Sequence, residues 1–345
     1  MDRDLESLLK MIKGKFADRR TELAEISLEE TPSSVVVTGR VLDQGTKSTV
    51  LQDLSAAQPG KAWVDQMQVM RVDHPQRMNV AVNLTGLYAH PSWLAEMLSQ
   101  NTYGVQVEIL EQKGDWVFVR QPDGYLGWMF RDYLSTHEPG VANHRVCVPM
   151  MLVHAQPDEA SLVTARLPEA VKVIVNGASG DWMKIEPHPG HLPCGMPGGW
   201  AKKNDLEEMR ELSLPPGEKR QVILRTAYDL LGVPYLWGGT TANGIDCSGL
   251  VQLCYLMAGV TLTRDADMQK AGGQPLQAPL QEGDLLFFCA EEDRSRVSHV
   301  AISLGDWRVI HSSRRRNGVA IDDVQEVPHL RETCIGACTY FKSGS

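Results

Sequence analysis

The sequence predicts an α+β protein built from several domains, and three observations support this prediction. The chain has 345 residues, which is more than one ordinary domain contains. Its middle part repeats a pattern of short alternating strands and tight turns that is typical of small antiparallel barrels. Its last third shows helical periodicity first and then a series of apolar strands, the order found in α+β domains.

Residues 1–75 are predicted to form a small α+β unit. The stretches "SSVVVTGRVL" and "AWVDQMQVMRV" indicate strands, and "TKSTVLQDLSAAQ" indicates a helix between them. Near the N-terminus, apolar residues recur at helical spacing, namely Leu5, Leu8, Leu9, Ile12 and Phe16. We expect this amphipathic helix to dock on its own protein, and a membrane-surface helix is the alternative. No chemical motif occurs in this region.

Two segments with the same order of features predict two SH3-like β-barrels. Each contains Gly-Asp-Trp, a strand, a turn, Gly-Trp and a closing strand, in "KGDWVFVRQPDGYLGWMFRDYL" and "SGDWMKIEPHPGHLPCGMPGGWAKKNDL". The first barrel is placed at residues 76–140, with an inserted segment around "HPSWLAEMLSQN", and the second at residues 141–210. The stretch "ELSLPPGEKR" then leads through a linker into a helix, which opens the last domain at residues 211–345.

Charge and composition argue against several classes of function. The net charge is −9, and no basic stripe offers itself to the phosphates of a nucleic acid. The sequence contains no run of about 18 apolar residues, so we predict no membrane span. The N-terminus lacks the basic and apolar segments of a secretory signal, so we expect a cytoplasmic protein. Seven cysteines at irregular spacing indicate reduced thiols rather than a disulfide framework.

Two short clusters offer ligands for a structural zinc ion. The stretch "HPGHLPC" contains His188, His191 and Cys194, and "CIGAC" contains Cys334 and Cys338. Neither cluster has a partner pair nearby at the spacing that zinc sites use. We therefore predict neither a metal ion nor an organic cofactor.

The chemistry is concentrated in "GGTTANGIDCSGLVQLCYLMAG", residues 238–259. A glycine-rich loop changes into an apolar helical pattern within one residue of Cys247. A thiol in the first turn of a helix lies near unpaired N–H groups and the positive end of the helix dipole. We therefore expect Cys247 to have a lowered pKa and to act as a thiolate nucleophile. The alternative is a small apolar cysteine that fills a gap in the core, a reading that suits Cys254.

A thiolate needs a base, and two histidines in "SHVAISLGDWRVIHSS" stand out. His299 and His311 are symmetric about Gly305. In a hairpin centred on Gly305, with an odd-length loop, the two residues would lie directly opposite each other on one face. A two-residue turn would put them on opposite faces. With the odd loop, Cys247 would be the nucleophile, one histidine its base and the other histidine the ring that orients the base. Two histidines at strand ends, taken without Cys247, would more often be incidental.

The stretches "GVPYLWGGTTANGIDCSGLVQ", "EGDLLFF" and "SHVAISLGDWRVIHSS" resemble the core motifs of NlpC/P60 cysteine peptidases, over roughly residues 218–340. The two barrels resemble SH3b domains. The combination is similar to the YkfC-type enzymes, which cleave γ-D-glutamyl–diamino-acid bonds of cell-wall peptides. The resemblance implies a papain-like catalytic domain in which Cys247 is the nucleophile, His299 the general base and His311 the orienting residue.

The same resemblance implies several substrate-binding residues. Tyr125 in "PDGYLGW" corresponds to a tyrosine of the first SH3b domain that completes the active site. Trp237, Asp246 and Ser248 match pocket positions beside the nucleophile. Their structural alternatives are packing for Tyr125 and Trp237, and helix capping for Asp246.

Two further acids belong to this expected pocket. Asp265 in "TRDADMQ" matches a ligand-contacting acid, with a solvated loop charge as its alternative. The next residue is Ala266, where such enzymes commonly carry serine, so one pocket hydrogen bond is put in question. The family also holds the substrate's free amine with an acid from the SH3b region, for which Glu96 is the candidate.

The expected partner is a peptidoglycan-derived peptide, L-Ala-γ-D-Glu-diamino acid, cleaved in muropeptide recycling. Tyr125 would close the side of the pocket where the N-terminal residue lies, and Asp246 would pair with its ammonium group. One alternative is an N-acetylmuramoyl-L-alanine amidase or another Cys/His amidase. The other is a non-catalytic SH3b protein that binds the cell wall.

Overall fold

The computed structural model describes residues 3–138, 140–190, 194–209 and 214–341. The chain forms two compact units, one of residues 1–78 and 106–131, the other of residues 79–105 and 132–345. The described helices are α1 (Arg3–Lys15), α2 (Gln44–Ala57), α3 (Pro216–Asp229), α4 (Cys247–Met257), α5 (Ala266–Gly272) and α6 (Pro328–Thr333). Within the described part of the chain, no helix has the length and apolar character needed to cross a membrane.

The strands of the first half of the chain follow in order. They are β1 (Ala24–Glu30), β2 (Val35–Val41), β3 (Trp63–Val69), β4 (Arg77–Val80), β5 (Leu84–Tyr88), β6 (Met97–Thr102), β7 (Gln106–Lys113), β8 (Trp116–Arg120), β9 (Leu126–Phe130), β10 (Leu134–Ser135), β11 (His144–Val146), β12 (Met150–His154) and β13 (Val163–Pro168). A 3₁₀ turn at Arg131–Tyr133 lies between β9 and β10.

The strands of the second half include the main sheet of the last domain. They are β14 (Lys172–Val173), β15 (Val175–Ser179), β16 (Trp182–Ile185), β17 (Gly199–Lys202), β18 (Leu206–Glu208), β19 (Thr240–Thr241), β20 (Gly244–Ile245), β21 (Gln274–Leu276), β22 (Leu285–Ala290), β23 (Asp293–Ser303), β24 (Arg308–Ser313), β25 (Gly318–Asp323) and β26 (Cys334–Thr339). A second 3₁₀ turn, Lys203–Asp205, precedes β18.

The first unit begins with a three-stranded sheet in which β2 lies between antiparallel β1 and parallel β3. Leu5 and Ile12 of α1 are fully buried in its core, which confirms that the N-terminal helix docks on its own protein. The predicted helix and strands of this region are also confirmed. Strand β1 was not predicted, although Ala24, Ile26 and Leu28 alternate with polar residues; of its side chains only Ile26 is buried.

The rest of the first unit contains the antiparallel ladder β7–β8–β9. Strands β8 and β9 lie within the first of the two repeated segments and β7 leads directly into it. The cross-strand pairs Trp116–Phe130 and Phe118–Trp128 bring aromatic rings into contact. Tyr125 is buried and immediately precedes β9.

In the second unit, the second repeated segment folds as predicted into antiparallel strands. A five-stranded sheet has the order β13-β12-β17-β16-β15, and β11 lies between β14 and β18. Met151, Val153, Leu167, Ile185 and Ala201 fill the core beside these strands. The domain boundaries 1–75, 76–140, 141–210 and 211–345 remain predictions.

The last part of the second unit is a six-stranded sheet of order β21-β26-β22-β23-β24-β25 with α4 packed on one face. The apolar stripe of α4, including Leu250, Val251 and Cys254, is fully buried. Pro216 is the first residue of α3, a position where the fixed φ of proline is compatible with a helix. The beginning of the predicted linker, residues 211–213, lies outside the described residues.

The β23–β24 hairpin has the odd loop that was predicted, but its centre is Asp306 rather than Gly305. Ser303 pairs with Val309 and Ile302 with Ile310, and residues 305–307 form the loop. Gly305 and Asp306 both have positive φ, at 89° and 52°. His311 therefore stands one diagonal step from His299, not directly opposite. The shared face is confirmed, because the rings touch.

Close backbone contacts explain the glycines that precede and follow Cys247. Gly238 has φ +78°, and a Cβ there would lie 2.4 Å from the carbonyl oxygen of Met97. A Cβ at Gly249 would lie 2.2 Å from the carbonyl oxygen of Gly239. The loop before Cys247 and the first turn of α4 are thus packed backbone to backbone, which only glycine permits.

We predict that Gly249→Ala lowers the free energy of unfolding by about 1–3 kcal/mol, because the added methyl group overpacks against backbone. Denaturant unfolding measures the change. Gly217→Ala in α3 is the matched control, since nothing lies within 4 Å of its Cβ position. Equal stability of Gly249→Ala and the wild type would show that this contact relaxes freely.

Candidate active site

Cys247 is the first residue of α4, as the sequence predicts. The helix begins there because Asp246 is its N-cap, with an extended backbone and a carboxylate that accepts a hydrogen bond from the Gly249 N–H at 2.8 Å. The Cys247 side chain packs in the core cluster that also contains Val300 of β23. The nucleophile candidate therefore lies beside the strand that carries His299.

The expected lowering of the Cys247 pKa is wrong for this structure. Burial raises the pKa of the thiol to about 12, and the Asp246 carboxylate acts in the same direction. Hydrogen bonds from the backbone N–H groups of Val300 and Ser248, and the charge of Arg264, only partly offset this. The helix terminus is enclosed by protein, so desolvation outweighs its dipole. The thiol must therefore give up its proton during the reaction.

The two predicted histidines form a direct hydrogen bond. The distance from Nε2 of His299 to Nδ1 of His311 is 2.7 Å, and the rings meet edge to face. Burial, followed by the neighbouring His311 and His329 rings, lowers the pKa of His299 well below its ordinary value. His299 is thus held neutral, which is the state a general base requires.

A carboxylate that the sequence prediction did not include completes this row. Nε2 of His311 lies 3.0 Å from Oδ2 of Asp322, and Arg316 contacts the same carboxylate. The signal was present in "GVAIDD": Ala320 pairs with His311, so Asp322 is a diagonal neighbour on the same face.

Asp246 is fully engaged in local hydrogen bonds. Its two oxygens accept five of them, from the N–H groups of Gly238 and Gly249, the Ser248 hydroxyl and two nitrogens of Arg264. This geometry favours the capping alternative. No described contact supports the pairing of Asp246 with a substrate ammonium, which remains a prediction.

Arg264, a second residue missed by the sequence prediction, is 1% exposed. Besides Asp246, its guanidinium donates to the hydroxyls of Ser248 at 2.9 Å and Ser99 at 3.2 Å. Ser248 is therefore buried behind the nucleophile and joined to both charged groups. Ser99 belongs to β6, so the arginine connects this strand to the start of α4.

Trp237 and Glu96 meet at the exposed side of the same loop. Half of Trp237 is exposed, so packing is not its main role. Its indole N–H donates to Oε1 of Glu96 at 2.8 Å, and Arg314 stacks on the indole ring at 5.0 Å. Four residues after Glu96, the Gln100 side chain accepts a hydrogen bond from the Thr240 N–H. The inserted segment of the first predicted barrel thus borders the nucleophile loop.

Two predicted pocket residues remain, Asp265 and Tyr125. Asp265 is half-buried at the N-cap of α5, directly before Ala266. Tyr125 belongs to the first compact unit, and its extension into the cleft remains a prediction.

The two candidate zinc clusters gain no further ligands. Among the described residues, no group of three or more His, Cys, Asp or Glu side chains is placed to hold a metal ion. Cys194, Cys334 and Cys338 carry free thiols. His191 lies outside the described residues.

Comparison with known proteins agrees with this geometry. Residues 232–336 match the NlpC/P60 family, and residues 87–134 match the bacterial dipeptidyl-peptidase Sh3 domain. The γ-D-glutamyl-L-lysine dipeptidyl-peptidase of Bacillus cereus is 30% identical over 264 residues, which cover 70% of this chain and 75% of that protein. The protein of the same name from Bacillus subtilis is 28% identical over 251 residues, covering 68% and 79%.

A solved structure shows the same fold. It is an NlpC/P60 family protein from Bacillus cereus, with a TM-score of 0.66 and 24% sequence identity. The alignment covers 77% of this chain and 99% of that one.

We predict that the acid limb of the kcat/KM profile lies below pH 6.5. Because the pKa of His299 is lowered, the ring takes up a proton only at a pH below its ordinary range, and the base stays available there. Hydrolysis of a peptide substrate is measured across pH, with circular dichroism as the control for unfolding. An acid limb at or above pH 6.5 would contradict the assignment.

Proposed function

Because the chain belongs to the NlpC/P60 family of cysteine peptidases, we propose that it hydrolyses the γ-D-glutamyl–diamino-acid bond of peptides derived from peptidoglycan. The observation that carries this proposal is the hydrogen-bonded row His299–His311 beside the Cys247 helix terminus. The names of its relatives, two of them γ-D-glutamyl-L-lysine dipeptidyl-peptidases, support the choice of bond.

The proposed reaction passes through a thioester. The Cys247 sulfur attacks the γ-carbonyl carbon of D-glutamate while its proton moves to His299. The N–H of Cys247 is the proposed donor to the oxygen that becomes negative. His299 then gives the proton to the leaving amine as the C–N bond breaks, and afterwards takes a proton from the water that hydrolyses the thioester. The thiol is buried and protonated at rest, so this base is needed from the first step.

The amine end of the substrate is proposed to bind at Glu96 and Trp237. Glu96 is exposed, and its carboxylate is held beside the indole by one hydrogen bond. A carboxylate in this position can accept a charge-assisted bond from the ammonium group of an N-terminal L-alanine. Asp246 is the other acid expected to pair with this ammonium, but its oxygens already accept hydrogen bonds from protein donors, which favours Glu96. Tyr125 is proposed to close the same side.

A requirement for a free amine would select short peptides over the intact wall, where a muramyl sugar blocks that nitrogen. Cytoplasmic turnover of muropeptides is therefore part of the proposal, and the placement of Glu96 beside Trp237 supports it.

We expect the protein to convert L-Ala-γ-D-Glu-L-Lys and its diaminopimelate counterpart into L-Ala-D-Glu and the free diamino acid, as mass spectrometry of the digest would show. Cys247→Ala should abolish the products, because the nucleophile is lost. Cys194→Ala makes the same chemical change at an exposed thiol and should have no effect.

Other products would overturn this proposal. Cleavage of an N-acetylmuramyl tripeptide between muramic acid and L-alanine, with the tripeptide itself left intact, would identify an amidase. Binding of the peptides without cleavage by the wild type would identify a wall-binding module.

We predict that Glu96→Gln lowers kcat/KM for the free-amine tripeptide roughly ten- to hundredfold, the effect of losing one charge-assisted hydrogen bond. Glutamine keeps an acceptor for the Trp237 indole, so the change isolates the charge. The N-acetylated tripeptide should be a poor substrate for both proteins and lose little further. Glu282→Gln, at an exposed glutamate, is the control. An equal loss of kcat/KM for the free and the N-acetylated tripeptide would show that the substrate's N-terminal amine binds elsewhere.

A further inference from the structure

The hydrogen-bonded row at the active site does not end at His311. His311 uses both ring nitrogens, Nδ1 toward His299 at 2.7 Å and Nε2 toward Asp322 at 3.0 Å. Arg316 then donates to both oxygens of Asp322. Four side chains therefore form one continuous path from the base to the surface of the protein.

Burial makes this path rigid and keeps water out of its inner part. The side chains of His311 and Asp322 are 1% and 4% exposed, whereas Arg316 is 52% exposed. Burial alone would raise the pKa of Asp322, but hydrogen bonds from His311 and Arg316 hold it well below its ordinary range. Asp322 is therefore a carboxylate, which can only accept hydrogen bonds.

An ionised Asp322 fixes the proton positions on both rings. His311 must carry its proton on Nε2 in order to donate to the carboxylate. Its Nδ1 is then an acceptor, so His299 must donate from Nε2. The Nδ1 of neutral His299 is left without a proton, and it is the nitrogen available to take one from the thiol.

Other charged groups face this pair without fixing its protons. His329 of α6, when protonated, opposes a positive charge on His299, and Arg315 and Glu291 act on His329 in turn. Arg315 is paired with Glu291 at the surface. The two nitrogens of His311 are bonded to His299 and Asp322, so Asp322 is the group that decides the tautomer.

We propose that Asp322 is a positioning residue that acts through His311: it holds the His311 proton on Nε2 and thereby leaves Nδ1 of His299 free to serve as the base. Arg316 keeps Asp322 ionised and in place. The kinetic consequences of this proposal rest on the proposed function, because they are measured on the hydrolysed peptide. The proton positions on the two histidines can be tested without any substrate.

The substitution Asp322→Asn would remove the constraint with little change in shape. The amide that it introduces offers a donor as well as an acceptor, so His311 can carry its proton on Nδ1 instead. His311 would then donate to His299 Nε2 and drive the His299 proton to Nδ1. In that tautomer His299 has no lone pair for the thiol proton.

We expect Asp322→Asn to lower kcat about ten- to hundredfold, less than the roughly 10⁴-fold loss seen when an aspartate bonded directly to a catalytic histidine is changed to asparagine. KM should change less than about twofold. Asp323→Asn is the matched control, because Asp323 is the last residue of β25 and its side chain accepts from the Gln325 N–H in the turn that follows. Asp322→Glu should recover part of the loss. Unchanged kcat in Asp322→Asn, an effect confined to KM, or an equal loss in Asp323→Asn would overturn the proposal.

A second pair of variants covers the case in which Asp322→Asn does not fold. Arg316→Gln changes an exposed side chain and should lower kcat relative to the wild type. Arg315→Gln, which removes a partner of Glu291, should leave kcat unchanged. Equal kcat in both variants would overturn the role of Arg316.

Nitrogen-15 NMR of the imidazoles tests the tautomers directly. The wild-type protein should show His311 protonated on Nε2 and unprotonated on Nδ1, and Asp322→Asn should show a mixture. A wild-type His311 protonated on Nδ1 would overturn the proposal even if the enzyme is active. If the tripeptide is not hydrolysed at all, the proposed function fails, while the NMR result still decides the role of Asp322.

Discussion

The ion pair between Arg264 and Asp246 connects the loop before Cys247, the first turn of α4 and strand β6. Asp246 caps α4, holds the Gly238 N–H and bonds the Ser248 hydroxyl, while Arg264 extends the network to Ser99. Both side chains are almost completely buried. A buried pair of this kind adds little net stability, but removing one partner leaves an uncompensated charge, at a cost of about 3–5 kcal/mol. The pair therefore specifies one arrangement of loop, helix and strand, and Cys247 is positioned by that arrangement.

The same enclosure sets the chemistry of the resting site. Burial raises the pKa of Cys247 and lowers that of His299, so each shift favours the neutral form. The resting site thus holds a neutral thiol and a neutral ring, and in the proposed reaction charge separates only as the carbon–sulfur bond forms. The row from His299 to Arg316 is suited to this, because a positive charge on the base would be met by a carboxylate two side chains away.

The sequence allowed much of the fold to be predicted, because its strongest patterns are local. The N-terminal helix, both repeated segments and the Cys247 helix follow from periodicity and turn residues. The hairpin register depended on where positive φ values fall, and these occur at both Gly305 and Asp306. The sequence pattern marked only the glycine, so the predicted turn was displaced by one residue.

The missing parts of the site depend on distant contacts or on burial. Ser99 and Arg264 are 165 residues apart, and Glu96 and Trp237 are 141 apart, so no window of sequence could show their pairing. The sign of the Cys247 pKa shift was also beyond local reasoning. The helix terminus was correctly identified, but its enclosure is a property of the folded chain.

Strand β6 and the residue before it offer a place where substrate selectivity can change without any change near Cys247 in the sequence. Glu96, Ser99 and Gln100 lie more than a hundred residues before Cys247, yet they contact the loop that precedes it and the arginine that pairs with its N-cap. Residues 96–100 are thus part of the surroundings of Cys247 although they are distant from it in sequence. Substitutions or length changes within it can reshape the mouth of the pocket while Cys247 and the histidines stay untouched. Cutting the chain at the predicted linker would remove the segment and leave Arg264 without one of its partners.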